Sequence, residues 1–357
     1  MTDPAEVLEI REWYTCGLDK KELKGFLKRD DHHAALYFGL WILLLAAAGY
    51  LAWVLYPSAW AIPAFFLYGV VYCGCNPRWH EASHGTAFKT AWLNDVSYFL
   101  CGAMEFRDAV DFRWSHARHH SYTIMRGVDP EIPVSRPPKL LYVLLDVFYL
   151  HMGFLALRNL MLHALGIVPK EIRAYVPDGE LRRMGWAARA VLAMHAAAIV
   201  AAVLTRSWLP VLFFVLPRFY GAPFLFLFIY LQHAGMAENV WDHRLCTRSM
   251  RLSRVWSFLF MNMESHAEHH IYPMVPFHAL PRLRERLKEH MPEPYRGLWG
   301  GAREMVPALI RMRKDPSYFV RRTVPKTAGS AKPKTAGSAK PKTAGSAKPK
   351  TEGSDGR

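Results

Sequence analysis

The chain has 357 residues, of which 52% are hydrophobic, and a formal net charge of +15. Residues 321–357 hold ten Lys and Arg against two acidic residues, so much of this charge lies in one terminal segment and is a weak indication of nucleic-acid binding, which we do not expect. The five cysteines form no CxxC pair, which argues against a disulfide framework and predicts reduced, packed thiols.

The first apolar segments follow a charged N-terminus. Residues 1–34 show no cleavable signal peptide, and we expect them to form a cytoplasmic segment. Ala35–Pro57 then runs without a charge and is long enough to cross roughly 30 Å of hydrocarbon at about 1.5 Å per residue. A second apolar run extends from Ala61 to Cys75. The two runs predict a helical hairpin in a membrane.

Two histidine clusters come after this hairpin. HEASH carries His80 and His84, and HARHH carries His116, His119 and His120. On a helix, residues three and four apart share a face, whereas adjacent residues point about 100° apart. Each cluster can therefore present its imidazole donors in one direction, and the adjacent pair in HARHH can reach two neighbouring ions.

The second half of the chain repeats the membrane pattern. Leu140–Leu165 is apolar but carries four ionisable residues, which predicts a helix on or partly in the membrane interface. Ala187–Leu204 and Leu209–Leu231 then form a second pair of apolar runs. The predicted fold is an all-α integral membrane protein with about four transmembrane helices in two hairpins.

The distribution of Lys and Arg predicts the orientation in the membrane. Both hairpin tips carry almost none, whereas the N-terminal, central and C-terminal segments are rich in them. We therefore expect a multi-pass protein of the inner, cytoplasmic membrane with cytoplasmic termini. All the histidine clusters then lie on the cytoplasmic side, in a helical cap.

A third cluster, HAEHH, adds His266, His269 and His270. Clusters with two, three and three donors exceed the needs of one ion, so the sequence favours two transition metals. Iron that activates O2 suits such a site, because two adjacent irons can break an unactivated C–H bond and no side chain can. The predicted centre is a di-iron site.

HEASH also matches HExxH, the zinc metalloprotease signature in which Glu81 would act as the base. The longer metzincin form needs Gly and His where this chain has Ala87 and Thr90. One zinc with three protein ligands would leave most of the clustered histidines unused. A metal-binding sensor or transporter without catalysis is a further alternative, but transport predicts ligands inside the spans.

The three boxes H(x)3H, H(x)2HH and H(x)2HH resemble those of the integral membrane fatty acid desaturase and alkane hydroxylase superfamily, over about residues 35–300. The strings NPRWHEASHGTAFKTAWLND, RWSHARHHSYTIMRGVDPEIPVSRP and HAEHHIYPMVPFHALPRL are most similar to the branch that contains rhizopine oxygenase and dihydrorhizobitoxine desaturase. The resemblance implies two irons held by the eight box histidines, with O2 as co-substrate.

The resemblance also implies a ninth histidine ligand between the second and third boxes. His233, at the end of the fourth apolar run, occupies that place. His243 is the substitute candidate, and Asn262 or Glu264 are candidates to hold a water.

Carboxylates beside the boxes are expected to orient the imidazole rings. We predict this role for Glu81 and Glu268, although Asp111, Asp129 and Glu264 are also near in sequence.

The resemblance implies an O2-dependent desaturase, with a hydroxylase or O-demethylase as the alternative, because both reactions begin with C–H abstraction. The closer branch implies a small amino-acid-like substrate, whereas the wider superfamily implies an acyl chain. Four arginines near the second box are candidates to pair with a substrate carboxylate: Arg107, Arg113, Arg118 and Arg126.

Electrons are expected from a separate partner. The sequence contains neither the HPGG of a fused cytochrome b5 nor the ligand pattern of an iron–sulfur centre. We therefore expect a ferredoxin-type donor and its reductase to dock on the basic cytoplasmic face.

The predicted organisation has four segments: the N-terminal segment 1–34, the membrane domain 35–300, a cytoplasmic C-terminal segment 301–325, and a Lys-rich tail 326–357. The tail repeats the unit KTAGSAKP and has no apolar face to bury, so we expect it to be disordered. Attraction to anionic lipid is the simplest role for its charge.

Overall fold

The chain folds mainly into α-helices. A computed structural model describes residues 12–325, so the predicted disordered tail lies outside the described residues. A 3₁₀ turn covers Asp178–Glu180, and the α-helices are α1 Lys20–Phe26, α2 Asp31–Leu55, α3 Ala61–Tyr72, α4 Cys75–Ser83, α5 Ala91–Met104, α6 Asp111–Ser121, α7 Leu140–Asp146, α8 Leu150–Ala164, α9 Lys170–Arg173, α10 Leu181–Thr205, α11 Leu209–Phe214, α12 Pro217–Tyr220, α13 Ala222–His233, α14 His243–Cys246, α15 Arg254–Leu259, α16 His266–Ile271, α17 Leu280–Leu287 and α18 Gly297–Lys314.

The first predicted span corresponds to α2, which begins earlier than its apolar run. The side chain of Asp30 accepts a hydrogen bond from the backbone N–H of His32 at 2.9 Å and so caps the helix. The helix ends two residues before Pro57. The second predicted span is shorter than expected, because α3 ends at Tyr72 and a turn separates it from α4, which carries the first histidine box.

The second predicted pair of spans is only half continuous. Helix α10 covers the third predicted span completely. The prediction of one helix over Leu209–Leu231 is wrong, because this stretch consists of α11, α12 and α13. Each of these helices has a proline in its first turn, where the missing N–H costs no helical hydrogen bond: Pro210, Pro217 and Pro223.

The central apolar segment is bent rather than straight. Helices α7 and α8 meet at an angle of 81°. The side chain of Asp146 holds this bend, because it accepts hydrogen bonds from the backbone N–H of Met152 and from the hydroxyl of Tyr230, both at 2.7 Å. The bent pair is apolar enough to form one broken span or a re-entrant loop.

Length and composition support a membrane protein. Within residues 12–325, two helical stretches, ending at Leu55 and Thr205, are long and apolar enough to cross a bilayer, and the bent pair makes three if it counts as one span. Large apolar side chains on these stretches are exposed, as Leu43 (65%) and Leu204 (78%) illustrate. The number of four spans, the hairpins, the inner membrane and the cytoplasmic orientation remain predictions.

Two glycines allow the broken fourth segment to pack against α3. A Cβ atom on Gly221 would lie 2.0 Å from the carbonyl carbon of Gly69, so only glycine permits this approach. The crossing places α13 beside the end of α3. Because α13 ends at His233, it also places that ring near the histidine boxes.

The all-α prediction needs one small correction. Strands β1 (Met250–Arg251) and β2 (Tyr295–Arg296) form a parallel two-residue ladder. The backbone N–H of Met250 also donates to the carbonyl of Glu264 at 2.8 Å, which anchors the segment that leads into the third box. All five cysteines are buried, which agrees with the prediction that they are packing residues, and none is paired in a disulfide.

Candidate metal centre

Four helices bring the histidine clusters together. Box one lies on α4, box two on α6 and box three on α16, while His233 ends α13. The ring centroids of His80 and His269 are 4.8 Å apart, and those of His119 and His233 are 5.0 Å apart. The boxes lie far apart in the chain, yet they form one continuous cluster of imidazoles.

The donor atoms divide into two groups. In the first group, one ring nitrogen from each of five histidines lies within 4.8 Å of all the others: His80, His84, His116, His120 and His269. In the second group the same holds for His119, His233 and His270. The Nε2 atom of His266 lies 3.1 Å from Nε2 of His233 and 3.2 Å from Nε2 of His270, so this ring joins the second group.

Two carboxylates fix rings of the second box. Nδ1 of His116 lies 2.9 Å from Oε2 of Glu131, and Nδ1 of His119 lies 2.8 Å from Oδ2 of Asp129. The other oxygen of Glu131 accepts a hydrogen bond from the hydroxyl of Ser115 at 2.6 Å. A carboxylate accepts a hydrogen bond from the protonated Nδ1, so each of these rings presents its Nε2 lone pair to the cluster.

Neutral acceptors play the same part in the second group. Nδ1 of His233 lies 3.0 Å from the backbone carbonyl of Cys246. The hydroxyl of Thr123 donates to the carbonyl of His119 at 2.8 Å, and its oxygen lies 3.1 Å from Nδ1 of His270. Because the hydroxyl proton is already used, the His270 ring must be the donor. Both rings then direct Nε2 inward.

Burial keeps the clustered rings neutral. It lowers the pKa of every histidine in the two groups except His119, to about 4 for His84 and about 3 for His233. Burial would also lower the pKa of His119, but the adjacent charge of Asp129 raises it above the ordinary value. Neutral imidazole is the form that binds a transition metal, so the environment favours ligation at neutral pH.

Comparison with known proteins supports the same kind of centre. The sequence model of the fatty acid desaturase family matches residues 57–301, which is more than half of the chain. The chain belongs to the fatty acid desaturase family. It is also similar to a putative sphingolipid delta(4)-desaturase/C4-monooxygenase of Caenorhabditis elegans, with 23% identity over 264 residues. That similarity covers 68% of this chain and 63% of the relative, less than two thirds of its length.

The fatty acid desaturase family uses iron, and the donor set fits this metal. Ligands at right angles around a metal at roughly 2.1 Å are about 3 Å apart. The Nε2 atoms of His116 and His120 are 3.1 Å apart, which matches this spacing. Within residues 12–325, both ring nitrogens of His80 and of His269 are buried without a hydrogen-bond partner. Such orphaned donors are expected where a metal completes the site.

The predicted orienting residues Glu81 and Glu268 lie within the first and third boxes but contact other groups. Oε1 of Glu81 accepts from the backbone N–H of Phe277 at 3.1 Å, and Glu268 accepts from the hydroxyl of Ser249. Among the described residues, neither carboxylate accepts a hydrogen bond from a clustered ring. Their predicted role stays a prediction, and burial raises the pKa of Glu81 to about 7.

The other sequence candidates lie around the same centre. Asn262 donates to the carbonyl of Phe277 at 3.0 Å, and Glu264 accepts from Ser257. His243 is buried with its ring 5.1 Å from that of His270. Asp111 belongs to a separate buried group with two further residues, Asp108 and His163.

Sequence reasoning missed Glu131 and Thr123. Both lie in the loop region that follows box two, and Asp129 in the same loop was considered but not selected. The only signal was the acidic string DPEIP, nine residues after His120. These acceptors contact the histidine rings only because the loop after α6 folds back against this helix. The spacing of the histidines within a box does not predict the path of that loop.

Proposed function

We propose that this chain is a membrane-bound, O2-dependent di-iron enzyme that introduces a C=C bond into an aliphatic substrate. The observation that carries the proposal is the division of nine histidines into two adjacent donor groups. Two bound irons would supply the oxidation of an unactivated C–H bond by O2. The adjacent residues His119 and His120 belong to different donor groups, which supports two bound ions rather than one.

The chain's own residues would hold and shield these ions. Asp129, Glu131 and Thr123 hold ring protons at Nδ1, which leaves Nε2 for the metal. All four rings of the second donor group are buried, and His269 of the first group is fully so. Burial of these rings would limit side reactions of the oxidant with water.

Hydroxylation is the second candidate reaction. The name of the nematode relative joins a desaturase and a monooxygenase activity, and both need the same C–H abstraction. The O-demethylase alternative also follows from a hydroxylated intermediate. The HExxH protease alternative is disfavoured, because His80 and His84 share their group with three further histidines.

For the substrate we propose a small amino-acid-like molecule of the dihydrorhizobitoxine type, with an acyl chain as the alternative. The candidate arginines give this choice little support. Arg113 pairs with Asp95 at 3.2 Å and Arg126 pairs with Glu238 at 2.8 Å. Arg107 and Arg118 likewise contact acceptors of the chain itself. Membrane attachment and an external ferredoxin-type donor complete the proposal.

Metal content and product analysis test the proposal together. We expect purified protein to bind about two irons per chain and to consume O2 with reduced ferredoxin. Extracts of cells with the intact gene should contain a product lacking two hydrogens relative to its precursor, absent with His119→Ala. A product that gains one oxygen atom would favour the hydroxylase. One zinc per chain, with peptidase activity lost in Glu81→Gln, would refute both.

A further inference from the structure

An aromatic side chain from the N-terminal segment lies flat against His243, a buried ring beside the metal centre. The rings of Trp13 and His243 are stacked, with centroids 3.9 Å apart and planes only 5° from parallel. The indole N–H of Trp13 donates to the carbonyl of Ser121, the last residue of α6, at 3.1 Å. The adjacent backbone N–H of Tyr14 donates to the carbonyl of Trp241 at 3.0 Å. These contacts fix the segment against the end of α6 and the loop between α13 and α14.

The stack continues inward to the second donor group. His243 is 2% exposed, and its centroid lies 5.1 Å from that of His270 with the planes tilted by 38°. His270 belongs to the second donor group. Three π systems therefore lie in succession, from the half-buried indole of Trp13 to a metal-binding ring.

The outer end of this succession lies in an aromatic surface. Trp241 packs edge-on against Trp13 at 5.0 Å, and Tyr122 lies 6.4 Å from Trp241. All three of these side chains are partly accessible. The exposed side chain of Arg126 is close in sequence to Tyr122. Aromatic residues and arginine are enriched in protein interfaces, and the contacts of redox partners are small.

The proposed function requires electrons to reach a buried centre, and this further inference rests on it. Conversion of CH2–CH2 to CH=CH uses one O2, two protons and two electrons and releases two waters. A one-electron carrier protein of the ferredoxin class supplies the electrons. Its cofactor cannot touch the rings of the second donor group, because these four histidines are at most 6% exposed. Electron tunnelling falls steeply with distance, so a short succession of stacked rings is the favoured route.

We propose that electrons reach the second donor group through Trp13 and His243, and that Trp13, Trp241 and Tyr122 form the surface on which the carrier protein docks. Trp13 and His243 are electron-relay residues rather than metal ligands in this proposal. The route differs from docking on the lysine-rich helix α1, which offers charge but no comparable ring contact to the donor groups among the described residues.

A photochemical measurement tests the route without the natural carrier. All five native cysteines are buried, so Glu12→Cys adds one accessible thiol next to Trp13. A ruthenium polypyridyl label on this thiol injects an electron by flash photolysis into the iron-loaded, ferric protein. The rate of iron reduction is then followed by absorbance. We expect Trp13→Leu to slow this rate at least tenfold and Trp13→Phe, which keeps a ring, to slow it much less.

Two controls separate the route from a general defect. Iron content and the ferric absorption spectrum should be unchanged in both variants. A label on Arg313→Cys, at the exposed end of α18, should give a rate that Trp13→Leu leaves unaltered. If the label at position 12 reduced bound iron at the same rate with and without Trp13→Leu, the inference would be overturned. Failure of the proposed function would instead appear as the absence of an iron pair or of O2 consumption.

Discussion

Nδ1 of His119 lies 2.8 Å from Oδ2 of Asp129, and this contact ties box two to the loop that follows it. The same carboxylate accepts the backbone N–H of Ile124 at 2.7 Å and that of Glu131 at 2.8 Å. Burial would raise the pKa of Asp129, but His119 and these hydrogen bonds hold it below the ordinary value. The carboxylate is therefore charged and fixed, and it sets which nitrogen of His119 faces the second donor group.

Replacement of Asp129 should weaken iron binding without unfolding the chain. In Asp129→Asn the amide can turn its NH2 towards Nδ1, which would reverse the protonation of the His119 ring. Mutation of a residue that hydrogen-bonds to a metal-binding histidine typically lowers metal affinity or activity by about 10- to 100-fold. Iron retained after a timed chelator challenge measures the effect. Asp178→Asn is the matched control, since that side chain is 93% exposed; equal iron retention in the two variants would contradict the assignment.

Thr123 should matter mainly for the second donor group. Thr123→Val keeps the shape of the side chain but removes both the donor to the carbonyl of His119 and the acceptor for His270. We expect the iron content to fall towards one per chain under mild chelation, because the first donor group does not contact this hydroxyl. Thr123→Ser retains the hydroxyl and should keep both irons. Loss of iron in equal measure from the two variants would show that the hydroxyl does not orient His270.

The sequence predicted the histidine cluster better than the helices that carry it. Spacings of three and four residues act within one helical turn, so the direction of each box could be read locally. The partners of the rings, such as Glu131, depend on how a loop returns, which no local spacing describes. Ligation by the nine histidines stays a prediction, although the structure brings their rings together.

In the membrane segments, the sequence analysis located the apolar runs but missed the breaks within them. Pro210, Pro217 and Pro223 stand in the fourth apolar run, and Asp146 stands in the central one. Apolar length alone predicted continuous helices there. Proline starts new helices in the first case, and a buried carboxylate holds a sharp bend in the second. Breaks of this kind are encoded in single residues rather than in the average hydropathy.

The close approach of Gly221 to Gly69 predicts a strong effect of a single methyl group. In Gly221→Ala the new Cβ would meet backbone rather than a flexible side chain. Overpacking of this kind typically destabilises a protein by about 1–3 kcal/mol. We expect a lower melting temperature in detergent and a lower iron content, because α13 carries His233. Gly25→Ala in α1 is the matched control, since its Cβ meets nothing within 4 Å; similar melting temperatures for the two variants would show that the crossing is adaptable.

The low pKa of His233 predicts a pH-dependent difference in stability for the metal-free protein. Burial lowers this pKa from 6.5 to about 3, so between these values the unfolded chain binds a proton that the folded chain does not. The contribution of the neutral ring to stability is therefore complete above pH 6.5 and declines as the pH falls towards 3. Glu81 and Glu131 have raised pKa values and act in the opposite direction, so the total pH dependence cannot isolate one ring.

Comparison of the parent with His233→Gln isolates the contribution of the His233 ring to the pH dependence of stability, because glutamine does not titrate. Between about pH 6.5 and pH 5, the stability of the metal-free parent should fall relative to that of the variant by about 1–2 kcal/mol. Each pH unit well below the unfolded pKa corresponds to about 1.36 kcal/mol, and the unfolded ring is already half protonated at pH 6.5. Chemical denaturation in detergent at the two pH values measures the difference. His32→Gln is the control, because that ring is exposed and no such relative change is expected. A constant difference between parent and His233→Gln would mean that this ring takes up its proton in the folded chain as readily as in the unfolded chain, and that its environment does not hold it in the neutral form needed for a metal.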